Sequence, residues 1–565
     1  MQTSKVNESH IADKGLQGDG ELPLALDFSH HISELAKARK PFPIKTVFKY
    51  YGRPGLLAMA GGLPHPQYFP FETLQTSLLR ADAFFAIDAL EESPLDVPIR
   101  NGPPTDPKMV DPEKLTVPKW PVQLTEDINL ARALQYDMAK GLGPLQQYLH
   151  DYSKRFFKPA YRDFTTLVHT GNTDGWSRVI MTLLNPGDGL LMEEWTFTAP
   201  ITAVQPLGIQ IVPVPMDSQG FNPEALDEIL ANWDEKERGC KRPRLLYTNP
   251  IGQNPCGVTV GRERKKQIYD LAVKYDFIIC EDDPYYYLQE GKYVSANERQ
   301  VMEPSVGVDV FFEELEPSYL SFDSTGHVIR MDTFSKTLGP GLRLGWYTCN
   351  PIIAERLERH GEISSQAPAG LSQAIVTQLL VNQWGLEGWV TWLRGLRAQY
   401  SARRDALVDA LLAEIDFKVV DGEGMFAGSV MYRATFRSTG GGDGNDAEDA
   451  KPGLTVRFIP PTAGMFCWIQ VQFHNLPDPI AMPGLDEAAA NHEGHLWEKL
   501  ADGGLLVLPG WMFCASKEVL VTEHPNKIAY YRISYSDPTR EDMRKAAKVL
   551  SRVLQEYCDI YGPPQ

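Results

Sequence analysis

The sequence predicts an α/β fold: a large domain built on a mostly parallel central sheet, with a second, smaller domain beside it. Between residues 131 and 365, short β-branched and aliphatic runs alternate with stretches of helical periodicity, the rhythm of successive βα units. At 565 residues the chain is longer than one core ordinarily organises. Its 43% hydrophobic and 23% charged residues supply enough apolar material to offset chain entropy.

Taken in order, residues 1 to about 30 are polar and are expected to be loosely ordered. The stretch Ser93 to Pro121, SPLDVPIRNGPPTDPKMVDPEKLTVPKWP, is punctuated by prolines and reads as an irregular insertion. The expected strands are TLVH, GLLMEE, QIVPV, RLLYT, FIICED, VIRMDTF and LGWYT. Arg437 to Gly453 has the composition of a flexible, acidic, glycine-rich loop. Near the C-terminus, Met543, Ala546, Val549, Leu550 and Val553 recur at the spacing of an amphipathic helix.

Several classes of function are disfavoured by composition. With 73 acidic against 55 basic residues the net charge is −18, which repels a phosphate backbone and an anionic membrane surface. No nucleic-acid or membrane partner is expected. The seven cysteines form no CxxC and no close His/Cys cluster, which argues for reduced thiols and against a zinc site, so no metal is expected. The N-terminus lacks the basic start and apolar core of a signal peptide, no apolar run reaches membrane length, and a cytoplasmic location is expected.

Four strand ends carry chemistry. In VHTGNTDGWSRV a strand ends near His169, turns at Gly171 and opens a helix around Thr173, whose free amides can seat an anion. An ordinary capped helix reads the same way. FIICEDDPYYYL delivers Asp282 to the carboxyl edge of the sheet, where α/β proteins place ligands, with Tyr285 three residues on. YTNPIGQNPCG places Asn249 and Asn254 before prolines, as a plain turn or as a held amide donor. MDTFSKTLGPGLRLGW sets Lys336 after a strand and Arg343 seven residues later. Desolvation and neighbouring cations favour the neutral amine that condenses with an aldehyde, while a phosphate favours the charged form. No GxxxxGK[ST] is present there. An anion seat, a carboxylate, phenol and amide donors, and an amine are together what pyridoxal 5'-phosphate requires.

With these residues in place, the chain resembles the fold type I pyridoxal-phosphate aminotransferases, in the aminoadipate/kynurenine and fungal aromatic amino acid branch. The resemblance runs from about Lys45 to Tyr557 through LAMAGGLPHPQYFP, LQYDMAKGLGPLQQYL, TGNTDGW, NPIGQNPCG, EDDPYYYL, FSKTLGPGLRLGW and YYRISYS. It implies an arm over 1–44, a small α+β domain built from 45–130 and 366–565, and a cofactor domain over 131–365. It further implies that Lys336 anchors the cofactor covalently and moves protons, and that Asp282 pairs with the ring nitrogen. Tyr285 and Asn254 would bond the ring's phenolic oxygen, and Phe197 would stack on the ring. Asn172, Thr173, Thr333, Ser335 and Arg343 would hold the phosphate, with Tyr136 reaching in from the second subunit of a homodimer. Arg532 would clamp the substrate carboxylate as a bidentate fork, and Gly61 and Gly62 would let backbone approach the substrate. The sequence departs from the family at GNTDG, where relatives often carry Ser-Gln, and at Phe197, where a tyrosine is frequent.

The implied reaction is transamination from an aromatic L-amino acid or L-2-aminoadipate to 2-oxoglutarate, giving a 2-oxo acid and glutamate. Such a role belongs to aromatic amino acid metabolism or lysine biosynthesis. A pyridoxal-dependent lyase or decarboxylase shares the same anchors, and an aminotransferase-like DNA-binding regulator is a third reading, opposed by the acidic charge.

Overall fold

A computed structural model of the chain describes residues 22–43, 54, 62–83, 113–120, 128–299, 307–438, 452–474, 476, 491–516 and 528–561. Two antiparallel strands come first, β1 (Thr73–Leu78) and β2 (Glu113–Pro118), with Thr73 opposite Pro118. The expectation of an irregular Ser93–Pro121 insertion is therefore corrected at its C-terminal end. Pro118 falls on the last strand position, where its missing N–H is tolerated, so the prolines bound a strand there instead of breaking it. Residues 93–112 of that insertion, and 439–451 of the glycine-rich loop, lie outside the described residues.

The central sheet is built from β3 (Thr165–His169), β4 (Gly189–Glu193), β5 (Gln210–Val214), β8 (Leu245–Thr248), β9 (Ile278–Asp282), β10 (Val328–Thr333) and β11 (Gly345–Cys349). A short hairpin, β6 (Met216–Asp217) with β7 (Gly220–Phe221), follows β5. The sheet order is β3-β11-β10-β9-β8-β4-β5. Only β11 runs antiparallel to its neighbours β10 and β3. These seven strands coincide with the seven apolar runs of the sequence. Most are buried along their whole length because helices cover both faces. The pleat sorts their side chains: Ile278, Cys280, Ile329 and Met331 join one core, and Ile279, Leu246 and Val328 join the other.

A second sheet is antiparallel: β12 (Lys418–Asp421), β13 (Val430–Phe436), β14 (Leu454–Phe458), β15 (Phe466–Phe473), β16 (Leu508–Pro509) and β17 (Ile528–Ser534), in the order β12-β13-β14-β15-β17-β16. The C-terminal helix Arg540–Tyr561 covers it, burying Met543, Ala547, Leu550, Leu554 and Tyr557. One 30-residue helix, Gly385–Glu414, serves both units. Trp389, Val390 and Leu393 pack into the core of the first sheet, and Leu407, Val408 and Leu411 into that of the second.

The loose order expected up to about residue 30 does not hold for residues 22–30. Phe28 is buried, Leu26 N donates to Thr325 O at 2.8 Å, and Ala25 N donates to Asp163 at 2.8 Å. One large apolar ring and these backbone bonds outweigh the polar surroundings.

Candidate active site

The parallel strands β8, β9 and β10 end side by side, which brings Asn249, Asp282 and Thr333 to one edge of the sheet. A cavity of about 210 Å³ opens there. It is lined by Asn172, Thr173, Phe197, Asn254, Asp282, Tyr285, Thr333, Ser335, Lys336 and Arg343, all named from the sequence, and also by Trp176, Tyr247 and Asn249.

At one end lies an anion seat. Gly171 caps the helix Asn172–Leu183 with φ 91° and ψ 154°, a region open in practice to glycine alone. A Cβ there would lie 2.2 Å from Arg343 Nη2, so the missing side chain is what admits the guanidinium. The amides of the first helical turn have no carbonyl within the helix to bond and carry the positive end of its dipole. Thr333 Oγ1 and Ser335 Oγ are 2.8 Å apart, and Arg343 Nη1 reaches Ser335 Oγ at 3.5 Å. These groups face the same end of the cavity and suit a phosphate.

At the other end stands Asp282, deeply buried and held by two donors: Asn172 Nδ2 to Oδ1 and Tyr247 Oη to Oδ2, each at 2.6 Å. Burial raises its carboxyl, and the bonds from Tyr247 and Asn172 oppose that rise. The Asn172 side-chain amide thus turns to Asp282 and to Met331 O (3.2 Å). What Asn172 offers a phosphate is its backbone N–H. Asn249 likewise holds backbone, donating to Asp282 O at 2.8 Å and accepting from Asn254 N at 3.0 Å.

Lys336 sits in the turn after β10, fixed by the bonds of Leu338 N and Gly339 N to Phe334 O. Burial lowers its ammonium below the ordinary lysine range, and the charge of Arg532 lowers it further. The neighbouring cation that acts on it is Arg532, brought in from the second sheet. Tyr285 is buried, and burial together with the Asp282 charge raises its phenol, which stays a donor at neutral pH.

Arg532 reaches the site from β17 of the second sheet. Its Nη1 donates to Asn254 Oδ1 at 2.7 Å, and its guanidinium lies 4.1 Å from the Phe466 ring centroid and 4.8 Å from that of Phe513. Its Nε is buried with no hydrogen-bond partner. Burial pulls the guanidinium down to about 10. A half-buried cation with donors to spare invites an anion.

Tyr136 and Gly62, both named from the sequence, do not line this cavity. Tyr136 is 58% exposed. A Cβ on Gly62 would meet nothing within 4 Å, so within one chain no crowding demands glycine there. Gly61 lies outside the described residues. Among the lining residues missed by sequence reasoning are the aromatics Tyr247 and Trp176, whose rings lie 4.7 Å apart. The signal for Tyr247 is its place on a parallel strand next to β9, opposite Cys280.

A ring bearing an aldehyde and a phosphate fits this donor set. The glycine-lined seat suits the phosphate, Asp282 a ring nitrogen, and Lys336 the aldehyde carbon, so the residues present fit pyridoxal phosphate.

Comparison with known proteins agrees with this geometry. Residues 126–436 match the family described as aminotransferase class I and II. An L-tyrosine:2-oxoglutarate aminotransferase of Tapinella panuoides is 30% identical over 95% of this chain and 97% of its own length. The mitochondrial kynurenine/alpha-aminoadipate aminotransferase of Mus musculus is 32% identical over 94% of this chain and 100% of its own. Among solved structures, an aminotransferase of Candida albicans superposes with a TM-score of 0.75 at 30% identity, covering 94% of this chain and 99% of that one.

Proposed function

Because the chain belongs to the class I and II aminotransferases, which use pyridoxal phosphate, we propose that it transfers the amino group of an aromatic L-amino acid or L-2-aminoadipate to 2-oxoglutarate. The observation that carries this reading is Arg532: a half-buried guanidinium with a buried, unpartnered Nε, flanked by Phe466 and Phe513 and close enough to depress Lys336. An α-carboxylate would complete its hydrogen bonding, and the flanking rings suit a flat side chain. The relatives named for tyrosine, 2-oxoglutarate and alpha-aminoadipate support the same choice of substrates.

When bound, pyridoxal phosphate supplies an aldehyde carbon open to an amine and a ring that accepts electron density from the substrate α-carbon. The anion seat of Thr173, Thr333, Ser335, Arg343 and the Asn172 amide would hold the phosphate. Asp282, whose carboxylate form Tyr247 and Asn172 favour against the effect of burial, would hold a proton at the ring nitrogen. Tyr285 and Asn254 would donate to the ring oxygen, and Phe197 would cover one face. Lys336, its ammonium destabilised by burial and by Arg532, would hold the aldehyde end and take a proton at the substrate α-carbon. Both substrates use one cavity, so the kinetics are ping-pong.

The division into arm, large domain and two-part small domain belongs to the same proposal, supported by the two separate sheets. So does a homodimer: Tyr136 is a large exposed aromatic that its own cavity does not use. Seven buried cysteines, none in a disulfide, favour a reducing compartment such as the cytoplasm. Among the described residues no helix is long and apolar enough to cross a membrane. Lysine biosynthesis is the pathway in which a 2-aminoadipate preference would place it.

The test is to mix holoenzyme with phenylalanine, tyrosine or 2-aminoadipate and follow the cofactor absorbance, then add 2-oxoglutarate and count the products. One 2-oxo acid and one glutamate per turnover are expected. No absorbance change with any amino acid would refute transamination by this site.

A further inference from the structure

At the opposite end of the central sheet from the cavity, where β9 and β10 begin, three imidazoles converge on one carboxylate. Asp276 ends the helix Arg262–Tyr275 with a left-handed backbone, φ 56°. His30 Nε2 lies 2.7 Å from Asp276 Oδ2 and His31 Nε2 lies 3.0 Å from Oδ1. His327 Nε2 lies 3.5 Å from the same Oδ1. The ligand atoms of His30, His31 and Asp276 all fall within 4.8 Å of one another. His31 and His327 are buried, while His30 and Asp276 are about half exposed and leave a way in from solvent.

The structure assigns this cluster to a divalent cation of the zinc class, bound through Nε2 of His30, His31 and His327 and a carboxylate oxygen of Asp276. Three imidazole nitrogens and one oxygen are a donor set for a borderline cation in tetrahedral coordination. Ligand bonds of about 2.0–2.2 Å at a tetrahedral ion set neighbouring ligand atoms about 3.4 Å apart; the three Nε2 atoms lie 2.7, 3.0 and 3.5 Å from the carboxylate, and His327, which stands outside the compact group of the other three, would move inward to complete the set.

An ordinary hydrogen-bonded His–Asp cluster accounts for His30 and His31, each of which can donate to Asp276. It leaves His327 unexplained. That ring is only 3% exposed, it is aimed at Asp276, and its Nε2 has no hydrogen-bond partner. Its Nδ1 lies 2.7 Å from Thr325 Oγ1. With the proton on Nδ1 donated to Thr325, Nε2 turns a lone pair toward a carboxylate oxygen, and a cation between two acceptors removes that repulsion. The Phe28 ring, centred 5.3 Å from His31 and 4.6 Å from His327, fixes the imidazoles in place. Arg244, donating to His30 O at 3.3 Å, adds a like charge that the carboxylate offsets.

Such an ion would clamp the N-terminal arm onto the large sheet. The sequence expectation of no metal looked for cysteines and close spacing, whereas His30 and Asp276 are 246 residues apart.

Chelator-treated full-length holoenzyme titrated with Zn²⁺ in a calorimeter should bind one ion per chain, and the bound ion should raise the melting temperature. His30→Ala should weaken binding at least tenfold. Thr325→Val, which touches no ion but releases Nδ1 of His327, should weaken it roughly 10- to 100-fold. Both variants should keep the absorbance response to amino acids. No zinc heat in the parent protein, or binding that neither variant weakens, would overturn the assignment.

Discussion

Replacing Tyr247 by phenylalanine removes a single hydrogen bond, 2.6 Å long, from a side chain with no solvent exposure. The phenyl ring keeps its volume and its place against Trp176, so no cavity opens and the change is confined to Asp282. A hydrogen bond to a charged group contributes about 1.5–3 kcal/mol. If that stabilises the ionised Asp282 on which catalysis relies, kcat/KM should fall roughly 10- to 150-fold. The sign of the pH effect follows as well. Burial already raises Asp282, and Tyr247 is the first of the two bonds opposing it. Without the phenol the carboxyl rises further, and activity is lost at a higher pH as the solution is acidified. Stopped-flow traces of the amino-acid half-reaction across pH, with Tyr247→Phe beside the parent, measure both quantities. An unchanged rate with an unchanged acid limb would refute the idea that Tyr247 tunes Asp282.

Lys336→Ala should abolish the visible band of covalently held cofactor while circular dichroism stays as in the parent; a retained band would mean another lysine carries the cofactor. Arg532→Lys keeps the charge but loses the fork, and since halving a buried charged pairing costs about 2 kcal/mol or more, kcat/KM for amino acids should drop roughly 30-fold or more in steady-state assays. Gly171→Ala forces a Cβ into the Arg343 guanidinium at an unfavourable backbone angle, so denaturant melts should show a loss of about 1–3 kcal/mol and cofactor should dissociate more readily. Glu193 is buried, and burial pushes its carboxyl from 4.5 up to about 8, opposed by the Thr248 hydroxyl. The folded chain then keeps a proton that the unfolded chain has released, and stability falls as pH rises from about 4.5 to about 8. Glu193→Gln still accepts from Thr248 Oγ1 and should lose less stability between pH 5 and pH 8 in urea titrations.

The central sheet was legible because strands buried on both faces are written as unbroken apolar runs, and FIICED and VIRMDTF need no partner to be recognised. The cavity was legible for a related reason: chemistry-bearing residues sit just past those runs, at Asp282, Thr333 and Lys336. Orientation was not. Nothing in GNTDG says whether the Asn172 amide turns toward a phosphate or back to Asp282, because that depends on a neighbouring strand 110 residues away. Tyr247 escaped notice for the same cause, being one apolar-looking residue of RLLYT until β9 is laid beside it. The arm was misjudged from its polarity, since the buried ring of Phe28 is a single residue in a hydrophilic stretch.

The helix Gly385–Glu414 has a consequence for motion. About 45 Å long at 1.5 Å per residue, it is seated in one core by Trp389 and Leu393 and in the other by Leu407 and Leu411. Sliding one sheet past the other would tear one end from its socket, whereas tilting about the middle of the rod leaves both ends seated. The rod thus fixes the spacing of the two sheets, and with it the distance from Arg532 on the second to Lys336 and Asp282 on the first.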